Sequence, residues 1–199
     1  VASITLANLF ALRQQNLKRF LAFSSISQAG YIMLAVISGT PLGMASLVYY
    51  VLVYLFSNLA AFGVVSVVEQ HTGKLTIDDY NGLYRSNPRL SFVMMLSLFS
   101  LAGIPPFVGF FSKYFVFSAA AQQGLYVLVF IALLNTIVSL FYYLKVIKAM
   151  FLTENETPAA SIRSSLPLRL SLIICTAGIL IIGLLGTVFE TIGSMSFGL

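Results

Sequence analysis

The chain of 199 residues is 59% hydrophobic and only 9% charged, against about 25% charged residues in ordinary soluble domains. With a mean hydropathy of +0.96, this composition excludes a soluble globular enzyme, a disordered segment and a nucleic-acid-binding domain. In so apolar a chain, the net charge of +5 is best explained by Lys and Arg residues that set its orientation in a membrane. We therefore expect a lipid bilayer around the chain and no nucleic acid as a partner.

The uncharged stretches, taken in chain order, predict an all-α integral membrane protein, a polytopic bundle of transmembrane helices. A crossing needs about 20 apolar residues, and only helices satisfy their own backbone groups within such segments. Residues 1–12 are apolar but too short, and we interpret them as the stub of a helix in a longer protein. Five further helices are predicted, at 20–38, 42–68, 90–121, 125–150 and 167–190.

Three polar loops, 13–19, 69–89 and 145–169, are each separated by a pair of helices and should lie on one side of the membrane. They contain ten of the eleven Lys and Arg residues. Because basic residues collect on the cytoplasmic side, these loops are predicted to be cytoplasmic and the C-terminus to lie outside. Tyr142 and Tyr143, near the same side, are interpreted as interface anchors.

The predicted helix 90–121 is too long for one straight crossing. Its 32 residues would measure about 48 Å, against ~30 Å of hydrocarbon. We predict that it is discontinuous and broken at 103–109, because prolines there remove the partners of the Leu101 and Ala102 carbonyls. The residues of this helix break are Gly103, Pro105, Pro106 and Gly109.

The eleventh basic residue, Lys113, lies in an apolar stretch near mid-membrane. It is eight residues from Ala121, about 12 Å along a helix, which is too far for its side chain to reach the interface. A cation there costs about 2.5–3.5 kcal/mol on insertion scales, so such residues are usually functional. Burial disfavours an ammonium, and a lysine whose two protonation states are close in energy can take up and release a proton.

Other polar residues are weaker candidates for a proton path. Ser24, Ser25 and Gln28 form a patch early in the helix 20–38, where they can hold a water wire or make interhelical hydrogen bonds. Asn58 is a further candidate, for which helix packing is the simpler interpretation. Lys18 opens a helix, where a cation is disfavoured by the helix dipole, and a topology signal is its simpler interpretation. No ligand cluster, nucleotide loop or Ser/His/Asp set occurs, so we expect no metal and no catalytic residue in this chain.

Two stretches resemble the antiporter-like membrane subunits of respiratory complex I, the NADH:quinone oxidoreductase. Residues 16–31 (NLKRFLAFSSISQAGY) are similar to the family pattern K-R-x-L-A-Y-S-S-I-S-x-x-G-Y. Residues 97–114 (SLFSLAGIPPFVGFFSKY) resemble S-L-A-G-I-P-P-x-x-G-F-F-x-K-F, although one sister subunit has Glu where Lys113 stands. The resemblance covers nearly the whole chain and implies that 1–199 is the C-terminal part of an antiporter-like transmembrane domain.

The resemblance implies proton translocation within an NADH:quinone oxidoreductase, with Lys113 on a central hydrophilic path and Lys18 at a cytoplasmic helix start. It implies that NADH, FMN, iron–sulfur clusters and quinone are bound by partner subunits and not by this chain. The implied partners are sister antiporter-like subunits and small membrane subunits, in a bacterial inner (plasma) membrane. Two alternatives stay open: a subunit of a multi-protein Na⁺/H⁺ antiporter, which shares the Gly-Ile-Pro-Pro and Lys pattern, and a purely structural membrane subunit.

Overall fold

The computed structural model describes residues 1–154, 161–162 and 164–196. Within this part of the chain the secondary structure is helical, with a 3₁₀ turn at Asp78–Tyr80. The α-helices in chain order are α1 (Ala2–Arg13), α2 (Leu17–Ser38), α3 (Pro41–Thr72), α4 (Leu83–Ser86), α5 (Pro88–Ala102), α6 (Val108–Gln122), α7 (Tyr126–Phe151), α8 (Leu166–Leu184) and α9 (Thr187–Ser196). Of these, α2, α3, α7 and α8 are long and apolar enough to cross a bilayer. The predicted all-helical membrane fold is confirmed.

The start of α2 shows how capping sets a helix boundary. The predicted helix begins at residue 20, whereas α2 begins at Leu17 because the side chain of Asn16 accepts a hydrogen bond from the backbone N–H of Arg19 at 3.1 Å. Lys18 and Arg19 therefore belong to the first turn of α2 and not to a loop. The cap outweighs the unfavourable placement of two cations at a helix N-terminus.

The three basic loops meet at one end of the bundle. Leu17 donates its backbone N–H to the Leu75 carbonyl at 2.9 Å, and this contact joins the first loop to the second. Gly82 donates to the Ala149 carbonyl at 3.0 Å, and this contact joins the second loop to the end of α7. Within the third loop, residues 155–160 and 163 lie outside the described part of the chain. The described contacts place all three loops on the same side.

The predicted helix 167–190 is wrong as a single element. α8 ends at Leu184, and α9 begins at Thr187 after a short break that contains Gly186. Glycine is about 1 kcal/mol worse than alanine inside a helix, so a change of direction is cheap there. The new direction allows Phe189 to stack on Phe115, with ring centroids 3.8 Å apart.

The long helix α3 lies at the centre of the bundle and packs against α2, α5, α6 and α8. Apolar side chains face outwards on the long helices, most of all on α7, where Phe130, Ile137 and Phe141 are each at least 60% exposed. Such a surface is suited to lipid or to neighbouring apolar segments. Polar side chains are concentrated instead at the inner junction of α2, α3, α5, α6 and α7.

Candidate functional site

The break between α5 and α6 is built by glycine and proline. Gly103 ends α5 in the left-handed conformation, with φ +80°, and its N–H returns to the Phe99 carbonyl at 3.1 Å. Pro105 and Pro106 have no N–H to offer to the carbonyls four residues earlier, at Leu101 and Ala102. The C-terminus of α5 therefore presents two carbonyls without helical partners inside the bundle.

Lys113, on the second turn of α6, supplies the missing donors. Its Nζ donates to the Leu101 carbonyl at 3.0 Å and to the Ala102 carbonyl at 2.9 Å. The residue is only 4% exposed, and its Nζ lies 5.1 Å from the centre of the Tyr31 ring. The partial negative charge at a helix C-terminus and the face of an aromatic ring both favour a cation.

Gln28 joins the Lys113 site to two tyrosines. Its Nε2 donates to the Leu101 carbonyl at 3.1 Å and to the Tyr143 hydroxyl at 3.2 Å. Its Oε1 accepts a hydrogen bond from the Tyr50 hydroxyl at 2.5 Å. The Tyr143 hydroxyl also bonds to the Ser24 hydroxyl. A buried polar chain thus connects Lys113 through Leu101 and Gln28 to Ser24.

A small cavity of about 10 Å³ adjoins both Lys113 and Gln28. This volume is about what one water molecule requires. Its polar lining consists of Gln28, Tyr50, Tyr54, Ser57, Ser100, Ser112 and Lys113. The Ser57 and Ser100 hydroxyls bond to each other at 2.7 Å and thereby connect α3 to α5.

The structure brings some of the sequence candidates together and separates others. Lys113, Gln28 and Ser24 belong to one buried network. Lys18 is exposed, and its ammonium forms an ion pair with Glu69 at the basic end of the bundle. Ser25 donates to the Leu21 carbonyl of its own helix at 2.9 Å, and Asn58 is half-buried and does not line the cavity.

The interpretation of Tyr142 and Tyr143 as interface anchors is wrong. Both are buried, with 1% and 0% exposure, and both hydroxyls bond to buried polar side chains. Sequence reasoning also missed Tyr50 and Ser100. For Tyr50 a signal was available, because the amide oxygen and the two N–H donors of a buried glutamine such as Gln28 need hydrogen-bond partners.

The polar groups around Lys113 are backbone carbonyls, an amide and hydroxyls. No group of three or more His, Cys, Asp or Glu side chains with metal-binding geometry occurs among the described residues.

Fold and site together place the chain among polytopic membrane proteins with a discontinuous helix. It belongs to the family described as NADH:quinone oxidoreductase/Mrp antiporter, TM, whose model matches residues 1–139. NADH-quinone oxidoreductase subunit N of Phocaeicola vulgatus is 64% identical over 96% of this chain and 40% of its own length. Subunit N of Azobacteroides pseudotrichonymphae is 60% identical over 100% of this chain and 42% of its own length. The chain therefore spans about two fifths of these relatives.

Solved structures show the same fold. A chain of respiratory complex I from Thermus thermophilus with bound aureothin superposes with a TM-score of 0.80 and 35% identity, over 94% of this chain and 43% of that one. A chain of the Mrp complex from Dietzia superposes with a TM-score of 0.87 over 97% of this chain and 44% of that one. Its identity is 24%, so that likeness is one of fold alone.

Proposed function

We propose that the chain is the C-terminal part of subunit N of an NADH:quinone oxidoreductase and that it moves protons through Lys113. The observation that carries this proposal is a buried cation whose ammonium is held by the two carbonyls freed at a helix break. The sequence identities of 60–64% to subunit N of two bacteria favour this branch. Lys113 favours subunit N over the sister subunit that has Glu at this position, whereas the antiporter subunits share the lysine.

In this proposal the stability of the break between α5 and α6 depends on whether Lys113 is protonated. The Leu101 carbonyl has a second donor in Gln28, whereas the Ala102 carbonyl depends on Lys113 for its described side-chain bond. When Lys113 releases a proton, its Nζ loses a donor and the positive charge that the dipole of α5 favours. The break is then less well held, so proton movement and the geometry of α5 and α6 are coupled.

The remainder of the machinery lies outside these residues. NADH, FMN, iron–sulfur clusters and quinone belong to partner subunits, and the driving force reaches this chain through neighbouring membrane subunits. The three basic loops face the cytoplasm of a bacterial cell, in agreement with the distribution of Lys and Arg. Along α2, Ser24 lies between Gln28 and Lys18, which is in the first turn of the helix.

The test compares Lys113→Met with Lys113→Arg in the complete protein, assembled in native membranes. Both variants should lower NADH-driven proton pumping into inside-out vesicles at least about tenfold, because positioned proton transfer contributes 10²–10⁴-fold. The arginine variant is decisive, since a guanidinium can cap the same carbonyls but does not release a proton. Lys148→Met, which removes an exposed cation on α7, serves as the matched control and should pump normally.

Two outcomes would contradict the proposal. A purely structural subunit would tolerate Lys113→Arg, with undiminished pumping in an assembled complex. An antiporter subunit would show sodium-dependent exchange that is lost in Lys113→Met, while NADH-driven quinone reduction in the same membranes would be unaffected.

A further inference from the structure

A second helix break, between α8 and α9, lies beside the break that holds Lys113. Counted from the basic end of the bundle, α5 has 15 residues and α8 has 19, which correspond to about 22 and 28 Å of helix. The two helices therefore end at a similar depth. They also meet there, because a Cβ added at Gly183 of α8 would lie 3.1 Å from Cβ and 3.2 Å from the backbone nitrogen of Val108, the first residue of α6.

Beyond its break, α9 packs on α3 and reaches α6 through an aromatic triad that consists of Tyr49, Phe115 and Phe189. The rings of Phe115 and Phe189 are stacked, with centroids 3.8 Å apart and planes inclined by 13°. Tyr49 presents its edge to both rings, at 5.7 Å from Phe115 and 5.5 Å from Phe189. Stacked and edge-to-face arrangements are the two that aromatic pairs prefer, so the triad fixes the spacing of α3, α6 and α9.

Tyr49 extends this contact to the end of α8. Its side chain is buried, and its hydroxyl donates to the Ile182 carbonyl at 3.4 Å. Ile182 lies in the last turn of α8, where carbonyls lack partners within their own helix. A single residue of the central helix α3 thus contacts α6, the end of α8 and α9.

The triad and the lysine site lie on opposite faces of α6. Lys113 and Phe115 are two residues apart, which corresponds to about 200° around a helix. Lys113 faces the end of α5, where its Nζ donates to the Ala102 carbonyl at 2.9 Å. Phe115 faces α9. The helix α6 is therefore held from both sides, and a shift away from α5 is opposed by the stacked ring of Phe189.

We propose that the aromatic triad sets the position of α6, and that Phe189 and Tyr49 are positioning residues for Lys113. This inference rests on the proposed function. Hydrogen bonds weaken steeply beyond their normal length, so a small displacement of α6 separates Nζ from the two carbonyls at the end of α5. The break at Gly186 serves this arrangement, because it turns Phe189 onto Phe115.

The first test removes the ring of Phe189 in the complete, membrane-assembled protein. Phe189→Ala should lower proton pumping per assembled complex about tenfold, since a displacement of about 1 Å caused by a remote substitution can cost up to about 10²-fold. Phe189→Leu retains apolar bulk for assembly but not the flat ring, and it should also lower pumping. Phe189→Tyr keeps the ring and should restore it. Phe141→Ala, which removes an exposed ring of α7, is the matched control and should pump normally.

The second test replaces the stacked rings by a reversible covalent link. In a complete protein whose native cysteines are changed to Ser, Phe115→Cys/Phe189→Cys should pump slowly, because both rings are lost. A short bifunctional methanethiosulfonate that joins the two thiols should restore pumping, and a reductant should abolish the recovery. Neither single cysteine variant should respond to the reagent. A role confined to folding predicts no recovery, because the link forms after assembly.

The outcomes separate this inference from the proposed function. If Lys113→Arg abolishes pumping while assembled Phe189→Leu pumps like Phe141→Ala, the triad has no positioning role and the role of Lys113 stands. If Lys113→Arg pumps normally, the proposed function fails first.

A third measurement does not depend on pumping. An experimental structure of the complete Phe189→Leu protein should show Lys113 Nζ displaced beyond hydrogen-bonding distance of the Ala102 carbonyl oxygen. An unchanged contact would overturn the inference even if pumping were reduced.

Discussion

The buried positive charge of Lys113 is stabilised by backbone carbonyls and not by a carboxylate. Among the described residues the ion pairs are Lys18 with Glu69 and Arg85 with Glu154, both at the basic end of the bundle. Peptide carbonyls at the end of α5 and the ring of Tyr31 surround the ammonium instead. Dipoles stabilise a cation less strongly than a full negative charge does, which agrees with the proposed release of a proton by Lys113.

Gly103 allows Lys113 to reach the end of α5 for two reasons: its left-handed backbone conformation and its lack of a side chain. A Cβ at Gly103 would lie 2.9 Å from Lys113 Cδ, at a φ of +80° that L residues rarely adopt. We expect Gly103→Ala to cost about 1–2 kcal/mol of stability from backbone strain alone and, in addition, to displace Lys113 and lower pumping. Thermal unfolding of the purified protein and vesicle pumping assays measure the two effects.

Gly39→Ala provides the control for Gly103→Ala. Gly39 has a φ of +63°, but a Cβ added there would meet no other atom within 4 Å. The backbone strain should be similar and pumping should be retained. Equal loss of pumping in both variants would show that strain, and not contact with Lys113, explains the effect.

The orphaned carbonyls of Leu101 and Ala102 could be predicted from the sequence, because a proline four residues later removes the donor whatever the fold. The identity of their new donor could not. Lys113 reaches them only because α6 folds back against the end of α5, and Gln28 only because α2 packs beside it. Tyr143 was misjudged for the same reason, since its position near a helix end suggested the membrane interface until packing buried it.

At the scale of the elements, α6 begins in direct contact with the backbone of α5. A Cβ at Gly109 would overlap the Ser100 carbonyl oxygen, which is part of the helix and cannot rotate away. We expect Gly109→Ala to destabilise the pair by at least about 3 kcal/mol, among the larger effects of single substitutions, because the two helices must separate. Membrane abundance and thermal unfolding in detergent are the measurements.

Gly63→Ala is the control for this close approach. At Gly63 the nearest atom would be Leu172 Cδ2, at 2.8 Å, and a flexible side chain can move aside. That variant should lose less than about 1 kcal/mol. Comparable losses in the two variants would mean that the contact between α5 and α6 has no special importance. The boundary between α8 and α9 also depends on tertiary contacts. The stacking of Phe189 on Phe115 stabilises the break at Gly186, and this contact could not be predicted from the local sequence.

For the whole molecule, the distribution of charge and the packing of the loops both place the basic residues at one end of the bundle. The loops that carry ten of the eleven basic residues join at one end of the bundle through backbone hydrogen bonds, although Arg163 lies outside the described part of the chain. This feature was predictable, because charge and hydrophobic length act over the entire chain and do not depend on any one contact. The interior network was not, because it requires side chains from five helices to converge.

Orientation in the membrane provides the last prediction. In a complete protein whose native cysteines, including Cys175, are changed to Ser, we expect Lys74→Cys to react with a membrane-impermeant maleimide only from the cytoplasmic side. Gln123→Cys, at the opposite end of the bundle and exposed, should react only from outside. The physical reason is that transferring the basic loops across the bilayer is disfavoured, whereas the turn between α6 and α7 carries no charge. Labelling of inside-out vesicles and of intact cells distinguishes the two sides, and a reversed pattern would overturn the cytoplasmic assignment of the basic loops.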